Sequence, residues 1–551
     1  MKRIRRHNRY REQADSAPDC ARGAEPLVLG YHGTLMPDPA GSSSAGGAVE
    51  CNLGIAVEPW LENAARELAL RLSAERTGGE AVDHGALIDS LKGRLTGMLA
   101  QAMMACPDAT AEQVVREFPV LAGLMKVAVT EWADAITVFH QRLRSDASRL
   151  ATWLGYKELP CVESLTAAGS DHHSGAHTAM RVLFQGGRNI YYKPRPVTGE
   201  WLWDRLVQEV NPHLSSPLAS ARALGGANGR YGWIESLLPH GQLQNLDKAS
   251  AQAATYWQAA GATLCLAEHM RMTDLHMANM MATSRGPALL DGESLGTPRA
   301  TLATPTRAEA RQPFAETLSD LLDTGLLPVE NPSGLPETSG LLGKSAAVAQ
   351  ILIPSWSKDR DGRSRLAMTP AVLVDHRNAP PHGSPIEMLP LLVSGYREAA
   401  SALMRCRESL ISAGSEWRRT LEHQHAPRII LRDTLTYSIL ISRSLQPKQL
   451  QHAKHRAAAL RSALRYLGPG DFPNAIVRTE ARALGGLHIP RFIGLPGTRT
   501  LAGTSGRALA PDFLSCSPCV AVLRKLGELT PNRLSEVQIP GLLQAVLRRM
   551  G

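Results

Sequence analysis

The chain has 551 residues, of which 44% are hydrophobic and 20% charged, and 60 Lys and Arg against 51 Asp and Glu leave a net charge of +9. This is globular composition, with enough apolar content for a buried core and enough length for several domains. Neither a membrane span nor a disulfide scaffold is expected: no apolar run approaches the roughly eighteen residues of a spanning helix, and eight cysteines are too thinly spread for a bridged framework.

In chain order, the start "MKRIRRHNRYREQ" puts Lys2, Arg3, Arg5, Arg6, Arg9 and Arg11 in the first eleven positions with no apolar stretch behind them, which argues against a secretory signal and for a cytoplasmic protein. Only Tyr10 is interleaved with these cations, so the segment reads as a solvated tail and no nucleic-acid partner is expected. With the linker "MPDPAGSSSAGGA" at 36–48 it forms a first region, 1–50. A helical region, 51–163, follows: "EPWLENAARELALRLSAER" from Glu58, "LIDSLKGRLTGMLAQAMMA" from Leu87, and one long amphipathic stretch from Val114 to Leu154 carry apolar residues at three- and four-residue spacing. From Ser164 to 236 the texture changes to "RVLFQGG", "RNIYYKPR" and "RYGWIESLL", which predict strands of a small antiparallel sheet. Helix returns in "ASAQAATYWQAAGATLCLAEHM". A Pro-, Ser- and Thr-rich segment from Gly296 to Ser384 reads as a long insert, with more helices after Glu387. Near the end, Cys516-Ser-Pro-Cys519 is read as two semi-buried thiols in a loop rather than a metal or redox pair.

Between the helix and the insert lies "TDLHMANMMATSRGPALLDGES", residues 273–294. Asn279 follows Asp274 by five residues, and Asp291 comes after "MMATSRGPALL", which predicts two short strands joined at a Gly-Pro turn. Phosphotransfer sites use that order: an Asp that accepts the substrate hydroxyl's proton, an Asn that binds magnesium, and a second Asp that holds the metal against the phosphates. Such a site also needs an upstream lysine on a strand, and Lys193 in "IYYKPR" fills that place, behind the polar turn "GSDHHSGAH". Each piece alone is cheap, since a lysine at a strand end is usually a snorkelling surface residue. Their joint order favours phosphotransfer.

Taken together, "SDHHSGAHTAMRVLF", "NIYYKPRP", "RYGWIES", "TDLHMAN…LLDGESL", "DLLDTGLLP…SGLLG", "PRIILRDTLTY" and "EARALGGLHIPRF" resemble, in order, the dehydratase domain of class II (LanM-type) lanthipeptide synthetases, over about residues 165–492. The resemblance implies an α+β fold: a two-lobed, kinase-like core related to lipid kinases, with added N-terminal and C-terminal helical regions. The lobes would be 164–236 and 237–470, the latter carrying the 296–384 insert, and 471–551 would close the dehydratase. It implies ATP and Mg2+ as cofactors and a ribosomal precursor peptide, leader and core, as partner. Ser and Thr of that peptide would be phosphorylated and then lose phosphate to give dehydroalanine or dehydrobutyrine.

By position, the resemblance assigns Lys193 to the ATP phosphates, Asp274 to the substrate hydroxyl, Asn279 and Asp291 to magnesium, and His276 and Glu293 to the phosphorylation half. Elimination would fall to Asp171 and His173 of "SDHHS", with His172 the neighbour in the adjoining register, and to Arg428 and Thr434, with Arg432 close enough to share the arginine's part. The chemistry agrees: an Asp can polarise a His for proton transfer near neutral pH, and an arginine fork suits a phosphate. The family's Gly-Asp-x-His-Asn-x-Gly-Arg loop is altered here at Ser170, Ser174, Ala176 and His177. No cyclase-type Cys/Cys/His zinc motif is found, so a stand-alone dehydratase is expected, with a separate cyclase or other tailoring enzymes acting on its product. A kinase that stops at the phosphopeptide, or a degenerate kinase that only binds the leader, are the rival readings.

Overall fold

The computed structural model describes residues 49–50, 53–74, 82–106, 109–168, 178–238, 243–247, 250–301, 315–328, 338–341, 347–358, 364–373, 378–466 and 472–547. The chain is a mixture of α and β. After a two-residue strand β1 (Val49–Glu50) come helices α1 (Leu53–Ala74), α2 (Gly85–Ala105), α3 (Ala111–Glu117) and α4 (Pro119–Leu154). The helix predicted from Val114 is therefore two helices. Pro119 lacks the N–H that a continuing helix would need but is suited to a first turn, so the chain restarts there; Thr110 caps α3 in a reciprocal box with Gln113.

The predicted sheet forms, enlarged by two strands. β2 (Val162–Ala167), β3 (Met180–Phe184), β4 (Asn189–Lys193), β5 (Ala223–Gly225) and β6 (Gly232–Glu235) make a five-stranded antiparallel sheet in the order β2-β3-β4-β6-β5. Alternation along β4 divides its side chains between two faces. Ile190 and Tyr192 point to the face covered by α4, where Tyr192 and Phe139 meet edge-on with centroids 5.2 Å apart and Trp233 donates to the buried Asp146 at 2.9 Å. Tyr191 and Lys193 consequently face the other side.

On that other side Tyr191 packs with Val197 and Ile234 beside the start of α5 (Thr198–Val210); α6 (Ala251–His269), the hairpin β7 (Met280–Thr283) and β8 (Gly286–Leu289), and the remaining helices follow in the chain. The hairpin turns at Ser284 and Arg285, not at the Gly-Pro pair. Gly286 already belongs to β8 with φ +103°, and Thr283 Oγ1 closes the turn by donating to its carbonyl at 2.7 Å. The insert is not merely a loop: it contains α7 (Ala315–Asp323) and a long hairpin of β9 (Ala347–Lys358) and β10 (Ser364–Leu373), whose outer edge pairs with β1, Val49 opposite Leu366. α8 (Leu389–Ile411) packs on α6 in the largest apolar core, which includes Trp257, Tyr396 and Leu392. Strands β11 (Arg428–Ile429) and β12 (Phe492–Gly494) pair, Arg428 opposite Ile493, and the helical segment between them, opening with α9 (Thr434–Ser444), returns to where it began. Cys519 is buried in the first turn of the helix Pro518–Glu528, with half-buried Cys516 just before it; both are free thiols. Among the described residues, no helix is long and apolar enough to cross a membrane.

Candidate active site

The backbone around Asp274 is held from two sides. Leu275 N–H donates to Thr324 O and Met277 N–H to Thr338 O, both at 2.8 Å, while Gly340 N–H donates to Gly325 O at 2.9 Å. Thr324 and Gly325 of "DLLDTGLLP", with Thr338 and Gly340, thus clamp residues 275–277, and a Cβ on Gly340 would lie 2.3 Å from Leu275 O. Asp274 itself is left-handed, φ +63°, a strained conformation for a non-glycine residue and one that such a clamp can maintain. His276 caps the short turn Met277–Asn279 by accepting from Ala278 N–H at Nδ1, and its Nε2 stands 3.6 Å from Asp274 Oδ1. Asn279 donates its amide N–H to Asp274 O at 2.8 Å, which leaves the amide oxygen as an acceptor.

On the opposite wall the turn Asp291-Gly292-Glu293 is pressed against the start of α5. A Cβ on Gly199 would lie 2.0 Å from Gly292 O, so backbone meets backbone there. His425 braces the same junction, donating from Nε2 to Leu295 O at 2.6 Å and accepting at Nδ1 from Thr198 Oγ1 at 3.0 Å; burial pushes its pKa down to about 4, so it is neutral near pH 7. Gly199→Ala is expected to lower stability by roughly 1–3 kcal/mol, the usual cost of overpacking, and to displace the turn. Urea unfolding of the variant measures this.

Between the two walls runs one connected set of ion pairs. Lys193 Nζ donates to Asp291 Oδ2 at 2.8 Å and to Leu290 O at 3.1 Å, with Glu200 Oε1 at 3.7 Å. Arg195 bridges Asp291 Oδ1 at 2.5 Å, Glu200 Oε1 at 2.6 Å and Glu293 Oε2 at 3.1 Å. Glu293 Oε1 accepts from Arg428 Nη1 at 2.7 Å and Oε2 from Arg491 Nε at 3.1 Å; Arg428 Nη1 is also 3.7 Å from Asp274 Oδ2. Lys193, the 274–293 residues Asp274, His276, Asn279, Asp291 and Glu293, and Arg428 thus share one cluster although they come from three separate stretches of the chain.

Arg432 does not join it: its guanidinium is buried on Glu480 at 2.7 Å, donates to Leu464 O at 3.1 Å and stacks on Phe472. Thr434 is the half-buried first residue of α9, whose cap is Asp433, accepting from Thr436 N–H at 2.6 Å; among the described residues no hydrogen bond links Thr434 to the cluster. Asp171, His172 and His173 lie outside the described residues. Three members were not anticipated. Arg195 stands in the "YKPR" motif and Arg491 in "HIPRF", so both were in view without a role, whereas Glu200 had no sequence signal beyond its place in the first turn of α5.

The electrostatics separate the two aspartates. Burial alone would raise the Asp291 carboxyl, but Arg195 and Lys193 overturn that and hold it at about 2. Asp274 goes the other way: burial raises it, Glu293 and Asp291 add to the rise, and the pulls of His276 and Arg428 do not cancel them. A carboxyl held down suits a cation ligand, and one pushed up suits a proton acceptor. Asp291 also sets the sign of a stability effect. Its folded value lies below the usual 3.8, so its contribution, about 2 kcal/mol, is present above pH 4 and lost as pH falls toward 2. Unfolding free energies of wild type and Asp291→Asn are expected to converge across that interval.

A mixed α and β chain with a largely half-buried Lys/Arg/carboxylate cluster joining its sheet to its helices is the class that the geometry defines. The family described as "Domain of unknown function (DUF4135)" matches residues 118–494, over half of the chain and every member of the cluster, and the chain belongs to it. It is similar to the lacticin 481/lactococcin biosynthesis protein LcnDR2 of Lactococcus lactis subsp. lactis: 19% identity over 428 residues, covering 74% of this chain and 44% of that protein. The chain therefore spans less than half the length of that relative.

Proposed function

We propose that this protein modifies a lanthipeptide-type precursor peptide, dehydrating Ser and Thr by ATP-dependent phosphorylation followed by phosphate elimination. The observation that carries it is the single ion-pair chain from Lys193 through Asp291, Arg195, Glu293 and Arg428 to Asp274, which unites residues of both half-reactions. The sequence of small antiparallel sheet, helix α6 and the 273–294 motif supports a two-lobed kinase-like core, with Lys193 from one lobe and Asp274 and Asp291 from the other.

The donor set fits magnesium and a nucleotide. Asn279 Oδ1 and the Asp291 carboxylate are hard oxygen donors that would hold Mg2+, and Lys193 would hold phosphate oxygens. Four cationic side chains (Lys193, Arg195, Arg428, Arg491) face four carboxylates (Glu200, Asp274, Asp291, Glu293), so the cluster has little charge to spare for a polyphosphate. Divalent cations would supply that neutralisation when bound. Asp274, with its raised carboxyl, accepts the proton of the peptide hydroxyl, and His276 and the clamped backbone fix its direction. In the second half-reaction Arg428 receives the leaving phosphate, while Asp171 and His173, with Thr434, serve removal of the α-proton. A cyclase or other tailoring activity would take the dehydrated peptide as its substrate.

Arg428→Ala tests this division of labour. Phosphopeptide is expected to accumulate while ATP consumption continues, read by intact-peptide mass; abolition of phosphorylation in a folded variant would contradict it.

A further inference from the structure

Arg491 has no part in the proposed reaction so far, yet its side chain is only 11% exposed, and two of its nitrogens, Nε and Nη2, lie 3.1 Å from the same oxygen, Glu293 Oε2. The other oxygen of that carboxylate accepts from Arg428 Nη1 at 2.7 Å. Two guanidiniums therefore converge from adjacent strand ends, β11 opening with Arg428 and β12 beginning directly after Arg491, onto a group no wider than one carboxylate. A third, Arg195, reaches the same Oε2 at 3.1 Å. One negative charge is shared among three cations. Arg195 is also paired with Asp291 and Glu200, and Arg428 Nη1 stands 3.7 Å from Asp274 Oδ2, so among the described residues Arg491 is the one of the three whose carboxylate contact is Glu293 alone. Among the described residues Arg491 Nη1 has no hydrogen-bond partner.

We propose that Arg491 is a second phosphate-binding catalytic residue, forming with Arg428 the seat of the departing phosphate; this rests on the dehydratase reading. A phosphomonoester dianion suits the two converging guanidiniums: it carries more charge than the Glu293 carboxylate and presents several oxygens to two planar forks. The step balances within the peptide. The α-proton passes to the base, the Cα–H electron pair becomes the Cα=Cβ bond, and the Cβ–O bond breaks with its pair leaving on phosphate. Arg428 and Arg491 bear the charge that grows on that oxygen, and Glu293 keeps both forks aimed when the phosphate has gone.

The test compares wild type, Arg491→Ala and Arg491→Lys, each incubated with precursor peptide, ATP and Mg2+, by the ratio of phosphorylated to dehydrated peptide over time. Removal of one such donor is expected to slow elimination about a hundredfold, so Arg491→Ala builds up phosphopeptide. Arg491→Lys, which keeps a cation opposite Glu293 and so protects folding, is expected to fall between the two because the fork is lost. Dehydration by folded Arg491→Lys at the wild-type rate with no phosphopeptide, or equal loss of phosphorylation and elimination in either folded variant, would overturn the assignment to Arg491 alone. Absence of any phosphoryl transfer by wild type would instead overturn the dehydratase reading on which it stands.

Discussion

Glu293→Ala is expected to be the most destabilising single substitution in the cluster. Glu293 is 10% exposed and meets Arg195, Arg428 and Arg491, themselves 11–12% exposed. Removing one partner of a buried pair usually costs about 3–5 kcal/mol, because what remains is an uncompensated buried charge. Arg195 retains Glu200 and Asp291, but Arg491 keeps no carboxylate among the described residues. Chemical denaturation should register that loss, and catalysis should disappear with it. Glu293→Asp, which keeps the charge on a shorter stem, should recover part of both. A loss below about 1 kcal/mol would mean that the arginines find other anions or water.

Lys193→Met should show the reverse pattern, a large effect on chemistry and a small one on stability. Methionine approximates the length of the stem without its charge, and Asp291 keeps Arg195 at 2.5 Å, so no carboxylate is stranded. The ammonium's work is lost, however, and by the scale of comparable transition-state donors the phosphorylation rate should fall on the order of a hundred- to a thousandfold. ADP release in the presence of peptide measures it. A folded variant with wild-type ADP release would remove Lys193 from the phosphate-binding role.

Much of this arrangement was legible in the sequence because it is local. The spacing of Asp274, Asn279 and Asp291 is set by one turn and one hairpin, and Lys193 owes its direction to alternation along a five-residue strand. What escaped is long-range. Arg195 meets Asp291 across 96 positions and Arg491 meets Glu293 across 198, and no periodicity encodes such pairs. Glu200 read as an ordinary first-turn acid. The break at Pro119 was available from proline's missing N–H but was overridden by an apolar stripe that continues across it. The insert's Pro-, Ser- and Thr-rich composition concealed β9 and β10, whose pairing is a property of two segments together. Gly286 looked like half of a turn, whereas its positive φ serves the start of a strand packed on Ala259, 2.4 Å from where a Cβ would stand.

The most direct measurement is the intact mass of a lanthipeptide-type precursor peptide after incubation with the wild-type protein, ATP and Mg2+. Loss of water from Ser or Thr, with ADP and phosphate released in step, is the expected result. A peptide that retains phosphoryl groups would reduce the activity to that of a kinase, and an unchanged peptide with no ADP formed by folded protein would contradict phosphotransfer at the Lys193, Asp274 and Asp291 cluster altogether.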